Sequence, residues 1–427
     1  MQLIKRERYL KEALRFRDTD LIKVVTGIRR CGKSSLLHLV EATLIEDGVL
    51  TSNIIKLNLE SLTSGIENFR DLYNAVKSQI VSKDKTYIFI DEVQNVPGWE
   101  KAINSLRVDF DCDIYITGSN AFLLSSELST YLSGRYVEIK MLPLVFTEFL
   151  DFCNLVPAKL PGQEGLLIDG KGNTFLLDHV FSHFRRYGGM PSIATLNLEQ
   201  EDHRAYHQTL YESVVARDIL DRERDRSRRT ITQPQMLRRI CLYLADNIGN
   251  PCSMTKIKDA LKSFGYTSSP HTVEAYIRAL VDAYVFYPAK RYDIRGKDHL
   301  KTLGKYYVVD SGLRNYLLDY RDLDQGRVLE NLVYLQLLFE GYSVSVGKLY
   351  NKEVDFVAIK GNRRIYIQVT EEMFDEKTKD RELSPLLAIR DGFEKFIIVG
   401  EGSYPKDIDG IKIITAPNFF LECSQWL

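Results

Sequence analysis

The most specific chemistry in this chain lies in one short run. Gly27, Ile28, Arg29, Arg30, Cys31, Gly32, Lys33 and Ser34 fit the phosphate-binding pattern G-x-x-x-x-G-K-[ST], and Ser35 follows directly. Such a loop turns its backbone N–H groups toward an anion at the start of a helix, where the helix dipole adds positive potential. The Lys33 ammonium suits the β- and γ-phosphates of a nucleotide, and the Ser34 hydroxyl suits a magnesium ion. A second run, Tyr-Ile-Phe-Ile at 87–90, ends in Asp91 and Glu92. Four apolar residues followed by two carboxylates read as a buried parallel strand that delivers acids at its C-terminal end, where ligands sit in open α/β sheets. Beside a phosphate loop, Asp91 is expected to hold magnesium through water, and Glu92 to polarise the attacking water.

These groups need a scaffold. An amphipathic helix is expected over 5–16, and strands over 21–26, 53–59, 86–92, 113–120 and 136–141. The apolar strand before Gly27 and the helix begun by Ser35-Leu-Leu-His-Leu-Val give the phosphate loop the context it requires. Strands alternating with helices predict an α/β fold with a parallel sheet. The chain has 427 residues, too many for one ordinary core, so two to four domains are expected. Its net charge of −1 provides no global pull toward nucleic acid or membrane. The six cysteines form no C-x-x-C pair and read as reduced thiols of a cytoplasmic protein. The N-terminus lacks the apolar core of a signal peptide, and no apolar stretch is long enough to span a membrane.

Five strands, the phosphate loop, the Asp-Glu pair and a polar tip on the fourth strand resemble the AAA+ ATPase superfamily. The likeness is greater to a prokaryotic subgroup whose members carry a GxRRxGKS-type loop, a TGSN strand end, a GRY, a PLxFxEF and a YGGMP. Here those are 27–34, 117–120, 134–136, 143–149 and 187–191. By that resemblance Asn120 matches the sensor that orients water or the γ-phosphate. Asn58 matches the polar residue that restrains the catalytic Glu. Arg135 lies where many members carry an arginine finger for a neighbouring subunit. No clear lid arginine stands out, and Arg185 and Arg186 are the nearest candidates.

The resemblance also implies an order of domains: an ATPase core over 1–150, a helical lid over 151–230, a winged helix-turn-helix over 231–325 and a C-terminal α/β nuclease-like domain over 326–427. Within the lid, the polar, glycine-rich stretch 157–173 is expected to be exposed or mobile, and 199–221 to be one helix. The Arg-rich run 217–229 reads as a solvated helix face. In the third segment, helices at 236–247, 254–264 and 271–284 precede a hairpin whose tip carries Lys290, Arg291, Arg295, Lys297, Lys301 and Lys305. That tip suits phosphate backbones; a scaffold or protein-contact role is the equal alternative. In the last segment Asp355 fits the metal-binding position of the restriction-endonuclease-like fold. Gln368 and Thr370 stand where that fold carries Glu and Lys, so the domain is expected to be inactive.

Two functional classes follow. The first is an ATP-binding and ATP-hydrolysing AAA+ protein with ATP and Mg²⁺ as cofactors. It would regulate or remodel a nucleic-acid or protein partner and could act as a homo-oligomer. The second is an ATP-gated nuclease with a degenerate C-terminal site.

Overall fold

The computed structural model describes residues 3–61, 65–81, 84–120, 132, 134–158, 165–195, 203–221, 231–294, 304–321, 324–400 and 402–426. The chain divides into two compact units, Met1–Leu142 with Asp282–Tyr284, and Pro143–Val281 with Val285–Leu427.

The first unit is built on β1 (Ile22–Thr26), β2 (Ile54–Asn58), β3 (Thr86–Asp91), β4 (Cys112–Gly118) and β5 (Tyr136–Lys140). They form one sheet in the order β2-β3-β4-β1-β5, and every neighbouring pair is parallel. Helices α1 (Glu7–Arg15), α2 (Lys33–Glu46), α3 (Phe69–Lys77) and α4 (Trp99–Asp109) accompany the strands. A parallel sheet covered on both faces needs continuous apolar runs. Accordingly Val24, Ile88, Ile90, Ile114 and Ile116 pack with Leu72 and Val76 of α3 and with Ala102, Ile103 and Leu106 of α4. β1 also buries a charge, Lys23, which is ion-paired with Asp113 of β4. Asp113 further accepts the Tyr115 hydroxyl and the Asp18 N–H. A buried ammonium persists only when paired and hydrogen-bonded in this way.

The second unit opens with a helix, Phe146–Phe152, and then departs from the helical expectation. Part of the stretch 157–173, expected to be exposed or mobile, lies in an antiparallel meander of β6 (Leu155–Pro157), β7 (Leu166–Asp169) and β8 (Thr174–Leu176). The Asp169 carboxylate closes the β7–β8 turn by accepting the Lys171 and Asn173 N–H groups. After the helix Leu177–Tyr187 come Gly188 and Gly189, the helix His203–Ser213, and a π-helical segment, Val214–Asp221, where a single α-helix was expected. Most of the Arg-rich run, 222–229, lies outside the described residues.

Three helices follow, Pro234–Asp246, Met254–Ser263 and Pro270–Asp282, then β9 (Phe286–Ala289), β10 (Arg291–Asp293) and β11 (Lys305–Val308). β9 and β11 pair antiparallel, as a hairpin requires. β10 instead joins a larger sheet with β12 (Ser343–Leu349), β13 (Lys352–Lys360), β14 (Arg363–Thr370), β15 (Glu394–Val399), β16 (Asp407–Ile408) and β17 (Ile411–Thr415). Its order is β10-β12-β13-β14-β15-β17-β16, of mixed direction. Val354, Val357, Tyr366, Leu383, Leu386 and Ile397 are among the residues of its core.

Two cations of the basic hairpin tip are paired within the unit. Lys305 is 4% exposed, and its ammonium pairs with Glu330 at 3.1 Å and Glu353 at 2.9 Å. Arg291 also pairs with Glu353, at 2.7 Å. Both cations are spent on carboxylates of the same unit, because burying an acid cluster demands neutralisation. Lys290 is exposed, while Arg295, Lys297 and Lys301 lie outside the described residues.

Candidate active site

The phosphate loop starts where β1 ends. Gly27 has φ +143°, and a Cβ there would lie 2.3 Å from the Met141 carbonyl oxygen, so only glycine fits. Arg30 and Gly32 also have positive φ, and Gly32 caps the N-terminus of α2. These reversals wrap the loop around the point where α2 begins. Ile28 and Cys31 are fully buried beneath it, and burial pushes the Cys31 thiol pKa up. Ser34 and Ser35 are exposed on the first turn of α2. Arg29 is ion-paired with Glu60, just beyond β2.

Lys33 is 4% exposed. Its ammonium donates to the Gly27 carbonyl at 3.2 Å and the Ile28 carbonyl at 3.3 Å, and lies 3.8 Å from Glu92 Oε1. The parallel order β3-β4-β1 accounts for this meeting: Asp91 ends β3, Thr117 is near the end of β4, and the loop follows β1. The Thr117 hydroxyl donates to Asp91 Oδ1 and accepts the Glu92 N–H, the latter at 2.9 Å. Glu92 has φ +54°, a left-handed conformation that is costly for a residue with a Cβ. Gln94 donates its amide to the Glu92 carboxylate.

Lys33, Asp91 and Glu92 therefore come together at the carboxyl ends of adjacent strands. Asn120 is buried two residues beyond β4. Arg135 is exposed immediately before β5, with Gly134 at φ +71° and its own carbonyl accepting the Ile22 N–H. Asn58 is placed differently from expectation. It is exposed, its Oδ1 accepts the Glu60 N–H at 2.9 Å, and the side chain that holds the Glu92 carboxylate is Gln94. An Asn at a strand end satisfies the nearest free backbone N–H, here in its own turn. Sequence reading missed Gln94 and Thr117. Gln94 stands two residues from Glu92, a signal that was available. Thr117 required the register that sets Ile90 opposite Ile116.

Of the lid arginine candidates, Arg185 is committed elsewhere. Its guanidinium forms a two-pronged pair with Glu371, at 3.0 and 2.9 Å, and also bonds Gln325. In the C-terminal sheet, Asp355 Oδ2 accepts the Val369 N–H at 2.9 Å. The Gln368 side chain accepts the Asp355 N–H and donates to Glu382, both at 2.8 Å. Burial and the neighbouring Glu330 push the Asp355 carboxyl pKa well above the usual carboxylate range. Two nearby lysines donate to backbone carbonyls, Lys352 to Ser384 and Lys360 to Glu340.

The parallel sheet and the glycine-bound phosphate loop define a P-loop fold, and residues 19–150 match the profile of the AAA domain family. A second profile, a domain of unknown function, matches residues 181–324. The chain is 39% identical over 422 residues to a Haemophilus influenzae protein described as an uncharacterized protein, covering 98% of this chain and 99% of that one. A protein of Methanocaldococcus jannaschii, likewise described as uncharacterized, is 30% identical over 370 residues, covering 85% of this chain and 77% of the other. The chain belongs to the same family as these two proteins. Among solved structures, the Walker-type ATPase PABY2304 of Pyrococcus abyssi is similar at 17% identity with a TM-score of 0.44, covering 74% of this chain and 96% of that one. No described helix is long and apolar enough to cross a membrane.

Proposed function

We propose that this protein binds ATP with Mg²⁺ at Gly27–Ser35 and hydrolyses it, and that the energy drives a change felt by a nucleic-acid or protein partner. The observation that carries the reading is the convergence of Lys33, Asp91 and Glu92 beside an anion-binding loop. The loop N–H groups and Lys33 would hold the phosphates, with Lys33 leaving the Gly27 and Ile28 carbonyls to do so. The exposed Ser34 hydroxyl and the Asp91 carboxylate would hold the magnesium ion, which neutralises phosphate charge. Glu92 would orient the attacking water and accept its proton, its carboxylate steadied by Gln94. Asn120 is proposed to orient the water or γ-phosphate, and Arg135 to reach the site of a neighbouring copy.

The three helices 234–282 followed by the β9–β11 hairpin support a winged-helix reading of that segment, and the mixed sheet that follows supports the nuclease-like reading of 326–427. With Lys305 and Arg291 consumed internally, a protein-contact role for the winged helix gains over a phosphate-backbone role. Six free cysteines, four of them buried, suit a cytoplasmic setting.

Nucleotide titration and phosphate release test the core of this reading. Lys33→Ala should abolish ATP binding, and Glu92→Gln should keep binding while losing turnover. Normal turnover by the Glu92 variant would remove Glu92 from the mechanism. The same assay run across protein concentrations tests Arg135. A trans-acting finger makes specific activity rise with concentration and makes Arg135→Ala lose roughly 10³-fold or more in turnover.

A further inference from the structure

Arg6 lies just ahead of α1 and is 4% exposed. Its Nη1 donates to two backbone carbonyls, Cys31 of the phosphate loop and Leu142 just after β5, each at 3.0 Å. The guanidinium sits 4.6 Å from the centre of the Tyr9 ring, and the Tyr9 hydroxyl accepts the Leu142 N–H at 3.0 Å. Leu142 follows Met141, whose carbonyl excludes any side chain at Gly27 and whose N–H donates to Thr26 at 2.8 Å. One arginine thus ties the loop to the segment the loop leans on.

A loop that turns its N–H groups toward an anion turns carbonyls away from it, and a buried carbonyl needs a donor. Gly27 and Ile28 have Lys33 as donor, but that ammonium is the group proposed to move to the phosphates. Cys31 is served from outside the loop, by a guanidinium that cannot lose its charge at any working pH.

We infer that Arg6 is a positioning residue of the nucleotide site, holding the Cys31 carbonyl so that the loop keeps its phosphate-binding backbone. The inference rests on the ATP reading above. Truncating Arg6 removes a charge-assisted bond and leaves a buried carbonyl without that donor, so ATP affinity should fall roughly tenfold or more. Turnover at saturation should change much less, because Asp91, Glu92 and Thr117 are untouched. Arg6→Lys should recover part of the loss, since both bonds come from a single nitrogen that an ammonium can replace. Tyr9→Phe removes the acceptor for the Leu142 N–H and keeps the ring beside Arg6, so it should lower thermal stability and leave affinity nearly unchanged.

The experiment titrates the full chain, these three variants and Lys33→Ala with a fluorescent ATP analogue, with steady-state turnover and thermal melting measured in parallel. Arg6→Gln takes the place of Arg6→Ala if the alanine variant does not fold. Weakened binding in Arg6→Ala, partial rescue in Arg6→Lys and normal binding in Tyr9→Phe support the assignment. An Arg6 variant that melts early yet binds like the wild type overturns it, and so does an equal loss of affinity in Tyr9→Phe. A wild type that binds no nucleotide overturns the ATP reading along with this one; binding that is lost only in Lys33→Ala leaves the ATP reading standing and removes Arg6.

Discussion

Thr117 uses one oxygen twice: it donates to the Asp91 carboxylate and accepts the Glu92 N–H. The second bond secures a residue at φ +54°, a conformation that costs on the order of 1 kcal/mol or more and persists only where its surroundings enforce it. Thr117→Val keeps the shape and removes both bonds. Turnover should drop roughly ten- to a hundredfold as Glu92 loses its fixed direction, while nucleotide affinity stays within a few fold. Single-turnover hydrolysis beside equilibrium binding checks this, and an unchanged rate would make the Thr117 bonds incidental to catalysis. At this scale the sequence exposed most of the site, because phosphate binding concentrates its residues in one contiguous loop.

Among the elements, the turn after the helix Leu177–Tyr187 shows why two glycines stand together. Gly188 has φ +81°, and a Cβ there would lie 2.3 Å from the Asp310 carboxylate. Gly189 donates its N–H to that carboxylate at 2.7 Å, and a Cβ on it would lie 2.1 Å from the Leu144 carbonyl oxygen. Asp310 also caps the helix Ser311–Leu317 by accepting the Leu313 N–H. Gly312 completes the seam, since its Cβ would meet the Tyr187 carbonyl at 2.0 Å. Gly189→Ala must therefore displace backbone and should cost about 3 kcal/mol or more in urea unfolding. Gly172→Ala, in the exposed β7–β8 turn with nothing within 4 Å, should cost only about 1 kcal/mol, set by its φ of +85°. Equal losses in the two variants would show that the close packing at Gly189 contributes nothing of its own. The sequence set Gly188-Gly189 in the YGGMP run and was silent on Asp310, which lies far along the chain.

For the molecule as a whole, the open matter is whether the C-terminal sheet does chemistry of its own. We expect that it does not cut nucleic acid. Asp355 is held by the Val369 N–H, and burial beside Glu330 pushes its carboxyl pKa up. Gln368 is occupied with Glu382, and Lys305 with Glu330 and Glu353. Among the described residues, no three His, Cys, Asp or Glu are arranged to hold a metal ion. Purified protein incubated with single- and double-stranded DNA and RNA, with ATP and either Mg²⁺ or Mn²⁺, should leave every substrate intact. Cleavage that vanishes in Asp355→Ala and survives Lys33→Ala would establish an independent nuclease.

The sequence alone determined the parallel α/β class, the phosphate loop and the acid pair, because each is written in consecutive residues: an apolar run, a glycine pattern, a strand that ends in carboxylates. Tertiary structure decided everything that depends on partners distant in the chain. Lys305 read as an exposed cation until the fold set it against Glu330 and Glu353. Arg6 carried no motif, and only the folded chain brings it to Cys31 and Leu142. The physical reason is the same in each case. Periodicity and turn chemistry are local properties of the backbone, whereas the partner of a buried charge or carbonyl is whichever group the packed elements bring within about 3 Å.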